Sequence, residues 1–115
     1  MHKVFVMLKR RPGMSPEAFR AHYEGVHAPL CMKYMAGVDR YVRHYLAPAP
    51  GIKEPEYDVI TELWFKDKAT LDLVLEHAAK DTMPDDVIAD EENLFDRARS
   101  RFCAVADFET EMPAA

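Results

Sequence analysis

Residues 10–30 read Arg-Arg-Pro-Gly-Met-Ser-Pro-Glu-Ala-Phe-Arg-Ala-His-Tyr-Glu-Gly-Val-His-Ala-Pro-Leu, and the way this stretch turns and breaks decides the fold of the chain. Pro12-Gly13 is a turn pair that ends whatever precedes it. Ser15 is placed as an N-cap, with Pro16 at the first helical position and Glu17 near the positive end of the helix dipole. Phe19, Tyr23, Val26 and Leu30 then recur at i, i+4, i+7 and i+11, an apolar helical stripe. Pro29 lacks an N–H and its ring would strike the carbonyl of Gly25, so the spacing predicts a break or kink near residues 26–28. A second short helical piece over 29–35 runs to Gly37, a natural residue beyond a helix C-terminus. His27 is therefore expected at a broken helix end, one turn after Tyr23.

Working outward, residues 3–9 are a short apolar run rich in β-formers and read as a buried strand. Residues 40–47 read as a second strand, with Tyr41, Arg43 and Tyr45 on one face and Val42, His44 and Leu46 on the other. The aliphatic face is expected against the helices. Residues 47–55 carry three prolines and a glycine and form a loop. Residues 57–65 are the clearest strand, with Val59, Thr61, Leu63 and Phe65 on one side. Asp67 caps a helix with Leu71, Val74, Leu75 and Ala78 inward, which breaks over 80–84. Residues 84 to about 95 read as an acidic helix with Val87, Ile88 and Leu94 inside. Residues 101–108 make the last strand, and the tail from about 110 to 115 is expected to fray.

The order is β-α-β-β-α-β with an accessory helix before the last strand. That predicts an α+β fold of the ferredoxin-like, split-βαβ type, a four-stranded antiparallel sheet with helices on one face. The other face would carry Phe5, Met7, Tyr41, Tyr45, Ile60, Trp64, Phe102 and Ala104, too apolar to remain in water. A homodimer packed sheet to sheet is the expected solution.

At 115 residues the chain is one domain, 1–115, with 49% apolar and 30% charged residues. No apolar run approaches the roughly 18 residues of a membrane span, and no signal peptide is expected before the first strand. Cys31 and Cys103 lie far apart without metal or redox spacing, which suits reduced thiols in a cytoplasmic protein. A net charge of −5 argues against a nucleic-acid partner. Residues 1–50 carry eight basic and three acidic side chains, and residues 51–115 seven and seventeen. The acids are scattered among apolar residues, as on solvated faces, and opposite halves of this kind suit self-association.

The chain resembles the EthD domain, a branch of the dimeric α+β barrel superfamily. The resemblance rests on residues 10–19, on Tyr23 through His27-Ala-Pro-Leu30, and on Tyr57-Asp58 leading to Glu62-Leu-Trp-Phe65. Ala89-Asp90-Glu91, followed by Asn93, Phe95 and Asp96, completes it. It implies a homodimer with a pocket between each sheet and its own helices. Superfamily members include aromatic polyketide cyclases, cofactor-free monooxygenases, muconolactone isomerases, dehydratases and decarboxylases, so the fold does not choose the reaction.

Among residues able to carry chemistry, His27 is first, because imidazole titrates near neutrality and serves as acid or base at enolisable carbonyls. Tyr23, at i−4, is placed to orient it or share its proton. Helix-end carbonyls would favour the charged ring and burial the neutral one. The alternative for His27 is a scaffold hydrogen bond. His44 would line the pocket if Val42 and Leu46 face the helices, or else be a satisfied core residue. Tyr41, Tyr45 and Trp64 read as interface aromatics, and His22 as surface. His77 either reaches the pocket mouth or interacts with a helix C-terminus. Residues 90–96 are either a solvated face, with Asp96 paired to Arg97 or Arg99, or, as the resemblance implies, a segment whose Asn93 and Phe95 contact ligand. No two histidines have metal-ligand spacing, and no glycine-rich cradle or nucleophile motif occurs, so neither metal nor cofactor is expected.

The resulting expectation is a cofactor-independent enzyme of the EthD type. It would carry out a proton-transfer lyase, cyclase, dehydratase or isomerase step on a small aromatic or polyketide-like carbonyl compound. His27 would be acid or base, Tyr23 its orienting partner, and His44 the group that polarises the substrate oxygen. The alternatives are a non-catalytic small-molecule-binding auxiliary protein, and a cofactor-free monooxygenase using Trp64.

Overall fold

The computed structural model describes residues 2–114. Strand β1, His2–Leu8, ends at a turn in which Met14 N–H donates to the Arg11 carbonyl at 3.1 Å and Gly13 adopts φ 84°. Proline before a positive-φ glycine is the pairing such a turn requires. Ser15 Oγ accepts from Ala18 N–H at 3.1 Å and starts α1, Pro16–His22.

The helix does not break at Pro29. It widens into a π turn over Tyr23–His27, in which Ala28 N–H donates to the Tyr23 carbonyl, and resumes as α2, Ala28–Cys31. A π turn holds one extra residue, so the carbonyl four positions back no longer lies beneath the proline ring. Pro29 then falls in the first turn of α2, where its missing N–H is not needed. A 3₁₀ turn, Met32–Tyr34, leads to β2, Val38–Tyr45.

Strand β3, Val59–Phe65, is followed by α3, Lys68–Lys80, capped by Asp67 accepting from Thr70 N–H at 2.8 Å. Asp81 closes α3 in the left-handed conformation. Helix α4 is Asp85–Leu94, and β4 is Arg101–Ala104. The sheet order is β2-β3-β1-β4, with every neighbour antiparallel. This is the expected α+β split-βαβ arrangement. The last strand is shorter than predicted, and residues 105–114 carry no regular structure. Residue 115, the end of the predicted frayed tail, lies outside the described residues.

Val4, Val6 and Leu8 of β1 stand opposite Leu63, Thr61 and Val59 of β3, and all six are buried on the helix side. Phe19, Leu94, Val4 and Val59 are the most completely buried large side chains. They join the π-helical segment, α4 and the sheet into one core.

The faces of β2 are the reverse of those expected. Val38 lies opposite Phe65 but Arg40 opposite Trp64, so Asp39 is a bulge residue. One extra residue exchanges the two faces of everything that follows. Tyr41, Arg43 and Tyr45 consequently pair with Leu63, Thr61 and Val59 on the helix side, and His44 pairs with Ile60 on the open side. Phe102 and Ala104 also turn out on the helix side, opposite Val6 and Val4. The open face carries Phe5, Met7, Val42, Ile60 and Trp64, rimmed by Lys3, Arg40, His44 and Glu62. Among the described residues no helix is long and apolar enough to cross a membrane.

Candidate active site

Between the sheet and the helices lies a cavity of about 170 Å³, walled mainly by apolar side chains with a few polar groups among them. The widened helix supplies the first of these. His27 is buried, 4% exposed, and its Nδ1 lies 2.8 Å from Asp90 Oδ2 on α4. The other Asp90 oxygen lies 2.8 Å from His22 Nε2, so one carboxylate anchors two rings of the segment. Phe95 meets the His27 ring edge-on at 5.2 Å between centroids and holds it from a third side.

Burial pushes the His27 pKa below the ordinary histidine value, against the hydrogen bond and charge of Asp90, which push it up. A neutral ring beside a carboxylate carries its proton on Nδ1, because that oxygen can only accept. Nε2 is then an acceptor, 3.5 Å from Cys31 Sγ. Burial, followed by the negative charges of Glu91, Asp90 and Asp86, pushes the Cys31 thiol up to about 12. Cys31 therefore remains an S–H that points its weak donor at Nε2.

On the sheet side three hydroxyls form a chain. Tyr41 Oη donates to Tyr23 Oη at 3.2 Å, and Tyr23 Oη lies 2.6 Å from Thr61 Oγ1. Burial pushes the Tyr23 phenol up to about 12 and Tyr41 well above its ordinary range, so both stay protonated. The two contacts use two of the three hydroxyl hydrogens, and the third is available to a ligand oxygen. Helix α4 adds Glu91, whose Oε2 is buried and has no hydrogen-bond partner; Arg97 Nε is 3.8 Å away. Burial raises the Glu91 pKa above the usual carboxylate range.

Of the residues singled out in the sequence, His27, Tyr23 and Phe95 line this cavity. His44 does not: the β2 bulge turns it to the open face, half exposed and 3.2 Å from Glu62 Oε1. His77 stands at the end of α3, with Nδ1 2.8 Å from Thr82 Oγ1, and Asn93 is exposed on the outer side of α4. Tyr23 touches His27 only ring edge to ring face, centroids 5.4 Å apart, and its hydroxyl goes to Thr61. Asp90 takes the orienting position instead. Asp96 does not take up Arg97, whose guanidinium bonds Asp81. Tyr41, expected at an interface, is a cavity residue, and Tyr45 packs against Phe19 and donates to Glu24 Oε2 at 2.6 Å.

Sequence reasoning missed Asp90, Glu91, Thr61 and Cys31. A signal existed for the first two: they follow Val87 by three and four positions and so share its inward face of α4. Nothing in the sequence joined Asp90 to a histidine 63 positions away. Among the described residues no group of three His, Cys, Asp or Glu side chains is arranged to hold a metal.

Similar architectures occur among solved structures. The Arabidopsis thaliana protein At3g17210 superposes with a TM-score of 0.63 at 14% identity, over 97% of this chain and 100% of that one. An ethyl tert-butyl ether d (EthD) family protein from Bacillus halodurans gives 0.59 at 17% identity, over 94% and 100%. HapK from Hahella chejuensis gives 0.59 at 14%, over 100% of both chains. Likeness at these identities establishes the fold alone. None of the curated proteins matches the sequence. The family model of the EthD domain matches residues 11–98, a span that begins beside the Pro12-Gly13 turn and takes in both the widened helix with His27 and the α4 carboxylates. The chain belongs to the EthD domain family.

Proposed function

We propose that this EthD domain is a cofactor-independent enzyme catalysing proton transfer on a small carbonyl compound, aromatic or polyketide-like, as a lyase, cyclase, dehydratase or isomerase step. The supporting observation is the buried His27, oriented by Asp90 through Nδ1 and presenting an unprotonated Nε2 beside the cavity. A neutral imidazole held by a carboxylate is a competent general base. Nε2 takes a proton from the carbon next to the substrate carbonyl. The Tyr23, Tyr41 and Thr61 hydroxyls offer a hydrogen bond to the oxygen where negative charge develops. The imidazolium, stabilised by Asp90, then returns the proton to a carbon or to a leaving oxygen.

The test is hydrogen–deuterium exchange at the activated carbon of an aryl 1,3-diketone, followed by NMR in heavy water. His27→Gln is expected to lower the catalysed exchange rate by roughly two orders of magnitude or more. Equal exchange by wild type and a folded His27→Gln protein refutes the reading. A non-catalytic carrier is the second reading, favoured by one observation: the Cys31 thiol already occupies the Nε2 position. It predicts a retained ligand and no exchange. The monooxygenase reading has less support, since Trp64 stands on the open face beside Glu62.

We further infer that two copies associate through the open face, whose Phe5, Met7, Val42, Ile60 and Trp64 form an apolar centre inside a charged rim. Cys31 and Cys103 are free thiols, in keeping with a cytoplasmic setting.

A further inference from the structure

The polar groups of the cavity have a consistent sign. Glu91 is the one carboxylate among its lining residues, and no lysine or arginine is among them. Three carboxylates, on Asp86, Asp90 and Glu91, act together on Cys31 from α4. The neighbouring cations are each paired with a carboxylate. Lys33 pairs with Asp86 at 2.8 Å, Arg43 with Glu24 at 2.5 Å, and Arg97 with Asp81, its Nε also lying 3.8 Å from Glu91 Oε2. An anion entering this space would lose its water and find no lysine or arginine on the wall to pair with, which makes its burial costly. It would also require Glu91 to keep its proton.

An uncharged oxygen compound meets the reverse situation. A ligand hydroxyl can donate to His27 Nε2, and a ligand carbonyl can accept the spare hydrogen of the Tyr41–Tyr23–Thr61 chain. Glu91, when protonated, offers a further donor on the α4 wall. The apolar remainder of the wall suits a ring.

We propose that the cavity selects uncharged, oxygen-bearing ring compounds and rejects carboxylates, with Glu91 as the residue that sets this charge selectivity. The proposal rests on the cavity being the small-molecule site put forward above, and it narrows the class of substrate. The immediate substrate is then a phenol, ketone or neutral ester. A carboxylate made elsewhere would have to be esterified or decarboxylated by another enzyme before entering.

The experiment titrates the purified full chain at pH 7.5 with three fluorescent probes: 2-naphthol, methyl 2-naphthoate and 2-naphthoate. The ester controls for the shape of the carboxylate. Wild type is expected to bind the naphthol and the ester, and the carboxylate roughly tenfold or more weakly. In Glu91→Gln the gap between ester and carboxylate is expected to narrow by roughly threefold or more. Equal wild-type affinity for ester and carboxylate overturns the proposal outright. An unchanged gap in Glu91→Gln overturns the role of Glu91. Failure of all three probes to bind instead refutes the cavity as a small-molecule site, and this proposal falls with it.

Discussion

At the scale of single residues, His27 and Glu91 titrate in opposite senses for the same reason. Burial disfavours charge, which lowers the pKa of a base and raises that of an acid. For His27 the folded pKa lies below the unfolded one. Its contribution to stability is present above the ordinary histidine value, near 6.5, and is lost as pH falls from there through the lowered folded value. Under the proposed function, the acid limb of kcat/KM should accordingly lie below pH about 6.5. Thermal melts should show a shallower loss of stability over that window in His27→Gln than in wild type. For Glu91 the folded pKa is raised, so its contribution is full below the ordinary value of 4.5 and is lost as pH rises through the folded value. Glu91→Gln should therefore raise Tm at pH 8 by about 4 °C per kcal/mol recovered, and the advantage should vanish near pH 4. Tyr23→Phe removes one member of the hydroxyl chain and should cost about 1 kcal/mol in urea unfolding. The Cys31 thiol, held at about 12 and buried, should resist iodoacetamide at pH 8, and mass spectrometry should find Cys103 alkylated first.

At the scale of elements, the decisive local features are one extra residue in a helix and one in a strand. The π turn lets the helix continue through Pro29 and delivers Tyr23 and His27 to the cavity together. The bulge at Asp39 delivers Tyr41 and removes His44. Both were hard to see in the sequence because they count residues. The apolar stripe of α1 and the alternation of β2 look the same with or without an insertion. The capping signals were legible, since Ser15 and Asp67 act on groups three positions away. A packing limit joins β2 to α3: a Cβ on Gly37 would come within 2.7 Å of Thr70 Cγ2, and both residues line the cavity. Gly37→Ala should destabilise by about 1–3 kcal/mol in denaturant unfolding. Adding Thr70→Ser, which removes that methyl and keeps the hydroxyl on Asp67, should recover most of the loss; simple additivity of the two changes would contradict the clash.

At the scale of the whole molecule, helices cover only one face of the sheet, and α4 completes the cavity that α1, the π turn and β2 begin. The uncovered face determines the expected assembly. Light scattering should give twice the chain mass, and the melting temperature should rise with protein concentration. Ile60→Asp, a charge at the centre of that face, should yield a monomer with lower Tm while leaving the helix-side cavity residues untouched. A wild-type monomer at micromolar concentration would remove the case for sheet-to-sheet packing.

By itself, the sequence determined the element order, the antiparallel split-βαβ architecture, the caps, the inward face of β3 and the interest of His27. These follow from periodicity and from groups that interact within a few positions. The resemblance carried by residues 10–30, 57–65 and 89–96 reached the family for the same reason, because its motifs are local. Only the tertiary structure decided which face of β2 looks inward, that Asp90 and not Tyr23 orients His27, and that Tyr41, Thr61 and Glu91 join the same cavity. Such partners are brought together by sheet register and helix docking across tens of residues. Their chemistry is written in the sequence, but their distance is set by the fold.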